Sequence, residues 1–143
     1  AVAGALGGFD TVLIVLLACM TVDYICGLIV AWMGCSPKTA NGRLDSKTGA
    51  RGIAKKGLML AVVLVAALGD WLMVLLGAYM PLGLNWPGLL LPMVTAWYIL
   101  TELGSVLENA VKMGARVPRW LVRLLKAGVS AVDGKAEGAE EKQ

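Results

Sequence analysis

The sequence predicts an all-α integral membrane protein: three transmembrane helices, then a C-terminal amphipathic helix at the membrane surface, assembled as an oligomer. Three observations carry that reading. Apolar residues make up 58% of the 143, whereas a soluble domain has roughly 45 to 50%. Charged residues make up only 16% and histidine is absent. Three apolar stretches are long enough, as helices rising about 1.5 Å per residue, to cross a hydrocarbon layer of about 30 Å.

The first stretch is TVLIVLLACMTVDYICGLIVAW, residues 11–32. Nothing basic precedes it, and it exceeds the roughly 7 to 15 apolar residues of a signal-peptide core, so it is expected to stay in the protein. The second is residues 57–79 and the third residues 87–107. Together with the amphipathic segment they are expected to form one membrane domain over residues 1–132. Trp32 and Trp86 fall near span ends, as interfacial aromatics do, whereas Trp71 and Trp97 lie deeper and are expected to pack.

Orientation follows from the basic residues, which favour cytoplasmic loops. Lys38, Arg43, Lys47, Arg51, Lys55 and Lys56 lie between spans one and two, and Lys112, Arg116, Arg119, Arg123, Lys126, Lys135 and Lys142 follow span three. None precedes span one and none lies in the turn between spans two and three. The expected placement is therefore with the N-terminus outside and the C-terminus on the cytoplasmic side.

After span three, Pro118 is suited to the first position of a helix. Over residues 118–132, Arg119, Arg123 and Lys126 share one face and Trp120, Leu121, Leu124, Leu125, Val129 and Val132 the other. Such a helix either lies in the membrane surface, its bases towards anionic headgroups, or packs its apolar face on the bundle or a neighbouring subunit. Residues 133–143 are small and charged and are expected to be disordered.

Each span carries an acid: Asp23, Asp70 and Glu102. An aspartate at a span centre costs roughly 2.5 to 3.5 kcal/mol on insertion scales, so three of them need a reason. Their neighbours form polar and small seams on one face of each helix. Span one aligns Thr11, Cys19, Asp23, Gly27 and Ala31; span two aligns Ala66, Asp70 and Gly77. Span three repeats Thr95, Glu102 and Asn109 every seven residues, with Tyr98, Ser105 and Lys112 beside them. Either the seams meet inside a bundle and hydrogen-bond across helices, or they face water along a pathway. Isolated in lipid, the three acids are expected to be protonated, because desolvation raises a carboxyl pKa.

Other chemistry fits poorly. RLDSKTGARG lacks the glycine directly before lysine that a phosphate-cradling loop requires. Cys19, Cys26 and Cys35, without histidine or a Cys-x-x-Cys pair, read as small packing residues, so no metal or other cofactor is expected. Two membrane aspartates can form a protease dyad, but three spans offer little scaffold for a substrate groove. A positive loop beside anionic lipid explains its charge without nucleic acid.

Three segments resemble the toxin-secretion/phage-lysis holins, a family of three-span holins that includes clostridial toxin-secretion holins. They are Asp23-Tyr24-Ile25-Cys26-Gly27, then SKTGARGIAKK at residues 46–56 (Ser46, Lys47, Gly52, Ile53, Lys55, Lys56), then TELGSVLENAVKMGARVPRWL at residues 101–121 (Glu108, Asn109, Gly114, Pro118). Cys26 stands where Thr or Ser is expected in many relatives, and Pro87, Gly88 and Pro92 are particular to this chain. The resemblance implies a non-enzymatic protein that self-associates in the cytoplasmic membrane of a bacterial host to form holes for an endolysin or a toxin, which it need not bind directly. On physical grounds Asp23, Asp70 and Glu102 are expected to be hidden in small assemblies while the protein is dilute, and Lys112 and the basic loop to pair with Glu108 and Glu102. Two rivals from other classes are a small ion channel or transporter subunit that binds a cation through the same acids, and a non-conducting membrane scaffold.

Overall fold

The computed structural model of the chain describes residues 2–36, 38, 45–80 and 86–140. Among them are four helices and no strand: α1 (Val2–Trp32), α2 (Ser46–Tyr79), α3 (Leu90–Lys112) and α4 (Arg119–Glu140). Helices α1, α2 and α3 are each long and apolar enough to cross a membrane. The chain is a multi-pass membrane protein.

Helix α1 is apolar on nearly every side, which suits a span that packs one face on the bundle and gives the rest to lipid. It stops at Gly34, whose φ of 74° is open to glycine at little cost. The Cys35 N–H then reaches Val30 O at 3.0 Å and the Gly34 N–H reaches Ala31 O at 3.2 Å, satisfying carbonyls that the helix end would orphan. Helix α3 closes by the same device: Gly114 has φ 87°, and the Ala115 N–H donates to Ala110 O at 3.0 Å.

Helix α2 starts earlier than the sequence suggests, because half of the expected basic loop is helical. The Asp45 carboxylate accepts from the Thr48 N–H at 3.1 Å and from its hydroxyl at 3.0 Å, capping the first turn. At 34 residues the helix is about 51 Å long, well over a hydrocarbon layer of about 30 Å. Its first turns, with Lys47, Arg51 and Lys55 exposed, therefore stand outside the apolar layer. Arg43 lies outside the described residues.

Helix α3 begins at Leu90 rather than at Pro87, and Pro92 falls in its first turn, where a missing N–H breaks no helical bond. Pro118 stands one residue before α4 instead of opening it. Helix α4 also continues to Glu140, eight residues past its expected end at Val132. The reason is local: Ala, Glu and Lys over 133–140 are good helix formers, and they extend an established helix more easily than they would start one. Residues 141–143 lie outside the described residues.

Helix α3 is the hub, packed against α1, α2 and α4, whereas α1 and α2 touch lightly. Leu16, Met20, Met59 and Val63 form the buried cluster, flanked by Leu60, Leu91, Val94, Tyr98 and Ile99. Much of the apolar surface points out instead: Ile14, Leu58, Leu64, Val65 and Trp71 are all exposed. In lipid that outer surface is solvated, so burying it drives no helix association; packing, small residues and polar links must.

Asp45 gives a pH test of the α2 start. Its bonds to Thr48 hold the carboxyl below its ordinary value of 3.8. The cap is thus fully present above that value and is lost as pH falls through the lowered folded pKa. Amide protection factors at Thr48 and Gly49 should fall below about pH 4, and Asp45→Ala should show the low value at every pH.

Candidate functional site

The three spans present inward faces with heptad spacing. These are Leu16, Met20, Asp23, Gly27 and Val30 on α1, and Lys56, Met59, Val63, Ala66 and Asp70 on α2. On α3 they are Leu91, Thr95, Tyr98, Glu102, Ser105 and Asn109. Near the basic end of the bundle the charged members converge. Lys56 Nζ donates to Asp23 Oδ2 at 2.9 Å and also to Glu102 Oε2, so one ammonium joins all three spans. Asn109 Nδ2 donates to Asp23 Oδ1 at 3.1 Å, fixing the carboxylate from its other side. The side chains of Lys56, Asp23 and Glu102 are only 17%, 16% and 6% exposed.

Tyr24 supports this arrangement from the next position on α1. Its ring and hydroxyl lie 3.7 Å from the Cβ positions of Gly52 and Gly49. Glycine at both sites lets the ring sit against the α2 backbone, where α1 and α2 otherwise meet little. A cleft of about 420 Å³ opens beside the cluster, lined among others by Tyr24, Lys38, Lys55, Trp97 and Ser105. The Trp97 indole N–H is buried with no acceptor among the described residues. Thr95, fully buried, returns its hydroxyl to Leu91 O at 2.7 Å, so it adds no open donor to the seam.

Asp70 serves a different site. Fourteen residues beyond Lys56, it is about 21 Å further along α2. Its Oδ1 accepts from Trp86 Nε1 at 2.7 Å and from the Leu90 N–H at 3.0 Å, and its Oδ2 accepts from the Leu91 N–H at 2.8 Å. Leu89, the N-cap residue of α3, contributes no side-chain bond of its own. Asp70 therefore caps α3 from the neighbouring helix, placing negative charge at its positive end. Gly69 permits the approach, since a Cβ there would lie 3.0 Å from Leu90 Cδ1.

The seam residues thus divide between two ends. Asp23, Gly27, Tyr98, Glu102, Ser105 and Asn109 line the cleft, Thr95 is core, and Asp70 is remote. Thr11 is exposed rather than in the seam, Cys19 is half-buried, and Glu108 and Lys112 are both exposed. Sequence reasoning placed Lys56 at the membrane surface; its side chain instead turns inward. The basic loop does pair with Glu102, through Lys56. The signal was present in the 3-4 spacing of Gly49, Gly52, Lys56, Met59, Val63, Ala66 and Asp70, which places Lys56 on the packing face. Trp86, read as an interfacial aromatic, binds Asp70.

Comparison with known proteins adds a family. The profile of the bacteriophage holin family matches residues 1–127. An uncharacterized 14.9 kDa protein of Clostridium perfringens is 36% identical over 120 residues, covering 84% of this chain and 78% of that one. An uncharacterized protein of Listeria innocua is 34% identical over 143 residues, 99% of this chain and 86% of its own. No solved structure matches the chain.

Two substitutions test the two ends. Lys56→Met strands two buried carboxylates and should destabilise the bundle by about 3 to 5 kcal/mol, read as thermal unfolding in detergent micelles. Adding Asp23→Asn and Glu102→Leu should recover most of that loss. Asp70→Leu should fray α3 up to Leu91 and red-shift tryptophan emission as Trp86 loses its partner. Asp70→Asn, which keeps one acceptor oxygen, should fall between Asp70→Leu and the parent.

Proposed function

The chain belongs to the bacteriophage holin family, and from that premise we propose that it accumulates in the bacterial cytoplasmic membrane, self-associates and opens holes. Through them an endolysin reaches the wall for host lysis, or a toxin is secreted. The observation that carries this reading is the cluster of Lys56, Asp23 and Glu102. Three spans with an apolar outside and their charges paired within can collect in lipid at low cost. The same charges are groups that water would stabilise once the helices part. No catalytic step is involved.

Placement with the N-terminus outside and the C-terminus inside is supported by the basic residues. Lys38, Lys47, Arg51 and Lys55 precede or open α2, and Lys112, Arg116 and Arg119 lie around the junction of α3 and α4. Those positions share one end of an odd-numbered bundle, and they suit anionic lipid headgroups there. Small residues let copies approach closely in lipid, which favours a homo-oligomer over a large bound partner.

Induced expression in bacteria carrying a cytoplasmic fluorescent protein tests the reading, with membrane potential and reporter followed in the same cells. The expected result is a delayed, abrupt collapse with escape of the reporter. Collapse with the reporter retained would mean an ion-sized pathway instead, and an intact potential at high expression would mean a scaffold. Lys56→Met, by untying α1 from α2, should bring the collapse forward; an unchanged onset would remove the cluster as the lock.

A further inference from the structure

The proposed hole needs a water-facing wall, and the seams are poorly placed to supply it. Asp23 and Glu102 are tied to Lys56, and Asp70 is tied to the start of α3. Helix α4 offers another wall. It turns back along α3, where a Cβ on Gly128 would stand 3.1 Å from Leu100 Cδ1 and 3.4 Å from Cδ2. Leu100 lies twelve residues, about 18 Å, before the end of α3, and seven residues, about 10 Å, inside the apolar stretch that ends at Leu107. The contact is therefore inside the apolar layer and not at its surface.

The docked helix is strongly two-sided. Leu121, Leu125, Gly128 and Val132 are half-buried on the side of the contact, whereas Arg119, Arg123, Lys126, Ser130 and Asp133 are all exposed. At 3.6 residues per turn those five fall within an arc of about 80° on the opposite side. Such a strip at the depth of Leu100 cannot face lipid, because charge there has no partner and no water. Trp120 and Leu124, 61% and 60% exposed, flank it with an apolar edge that lipid or a neighbouring copy can cover.

We infer that α4, docked on α3, lines the open hole with its charged strip. This rests on the holin reading. The test uses a cysteine-free background (Cys19→Ala, Cys26→Ala, Cys35→Ala) carrying Leu100→Cys and Gly128→Cys, cross-linked by oxidation in cells that hold the fluorescent reporter. Cross-linked protein should release the reporter at least as fast as the reduced form. Gly128→Leu, too large for the gap, should reach the membrane in normal amount and release at least tenfold less. Reporter held until reductant is added, or normal release by Gly128→Leu, would overturn the inference. Retention by the cysteine-free parent as well would overturn the holin reading beneath it. In planar bilayers at about 10 mM salt, where the Debye length is about 30 Å, Arg123→Glu with Lys126→Glu should shift the reversal potential of the earliest conductance towards cation preference. No shift would exclude the strip from the wall.

Discussion

One ammonium shared by two carboxylates sets the shape of this bundle. In water, helices are pressed together by burial of apolar surface, but lipid removes most of that force, and here α1 and α2 scarcely touch. What joins them is Lys56, which reaches Asp23 on one neighbour and Glu102 on the other, with Tyr24 seated on Gly49 and Gly52 alongside. With all three groups ionised the cluster carries one unbalanced negative charge, and the Asn109 amide that donates to Asp23 offsets part of its cost. The arrangement is stable only while all three spans are present together. A group of this kind fixes register more than it adds stability, since a hydrophobic replacement of the whole set would pack as well.

Asp70 is the complementary fixed point at the other end. A helix start inside an apolar layer exposes N–H groups that no lipid can satisfy, and α3 lacks a cap of its own. Asp70 satisfies the Leu90 and Leu91 amides and the Trp86 indole together. It thereby joins α2 to α3 as a hairpin and explains a carboxylate that an insertion scale alone would count as a liability. Held by Glu102 towards one end and by its first turn at the other, α3 becomes the axis on which α1 and α4 pack.

Much of the architecture was legible in the sequence because membrane spans are read from length and hydropathy, and neither depends on tertiary contacts. The acids of the three spans and the seven-residue repeat of Thr95, Glu102 and Asn109 also stood out, since polar groups in apolar runs are conspicuous. Their partners did not. Lys56 sits where basic residues are expected to meet headgroups, so its charge was already explained by the surface, and only its spacing from Met59 and Val63 marks it as inward. That Asp70 accepts from backbone amides twenty residues away could not be read from side-chain identities at all, because the donors are peptide groups that every residue has. The extra turns of α4 are likewise a matter of helix continuation, which composition alone reads as disorder.

In the proposed opening, the two fixed points have different parts. Asp70 bonds to groups within the same hairpin, so association between copies gives nothing that could replace those bonds, and the hairpin is expected to persist in every state. The Lys56 cluster differs, because each of its three members would gain hydration if water reached it, and because the α1–α2 contact around it is sparse. A transition that wets one side of the bundle therefore begins at that end. It is also the end at which α4 leaves α3 through the Gly114 turn. Water entering beside Lys56 meets the span that carries Glu102, and α4 reaches the same span two residues away, at Leu100. In the proposed hole, loosening of the cluster and placement of the charged strip of α4 would thus be coupled through the middle of a single helix, without a separate relay.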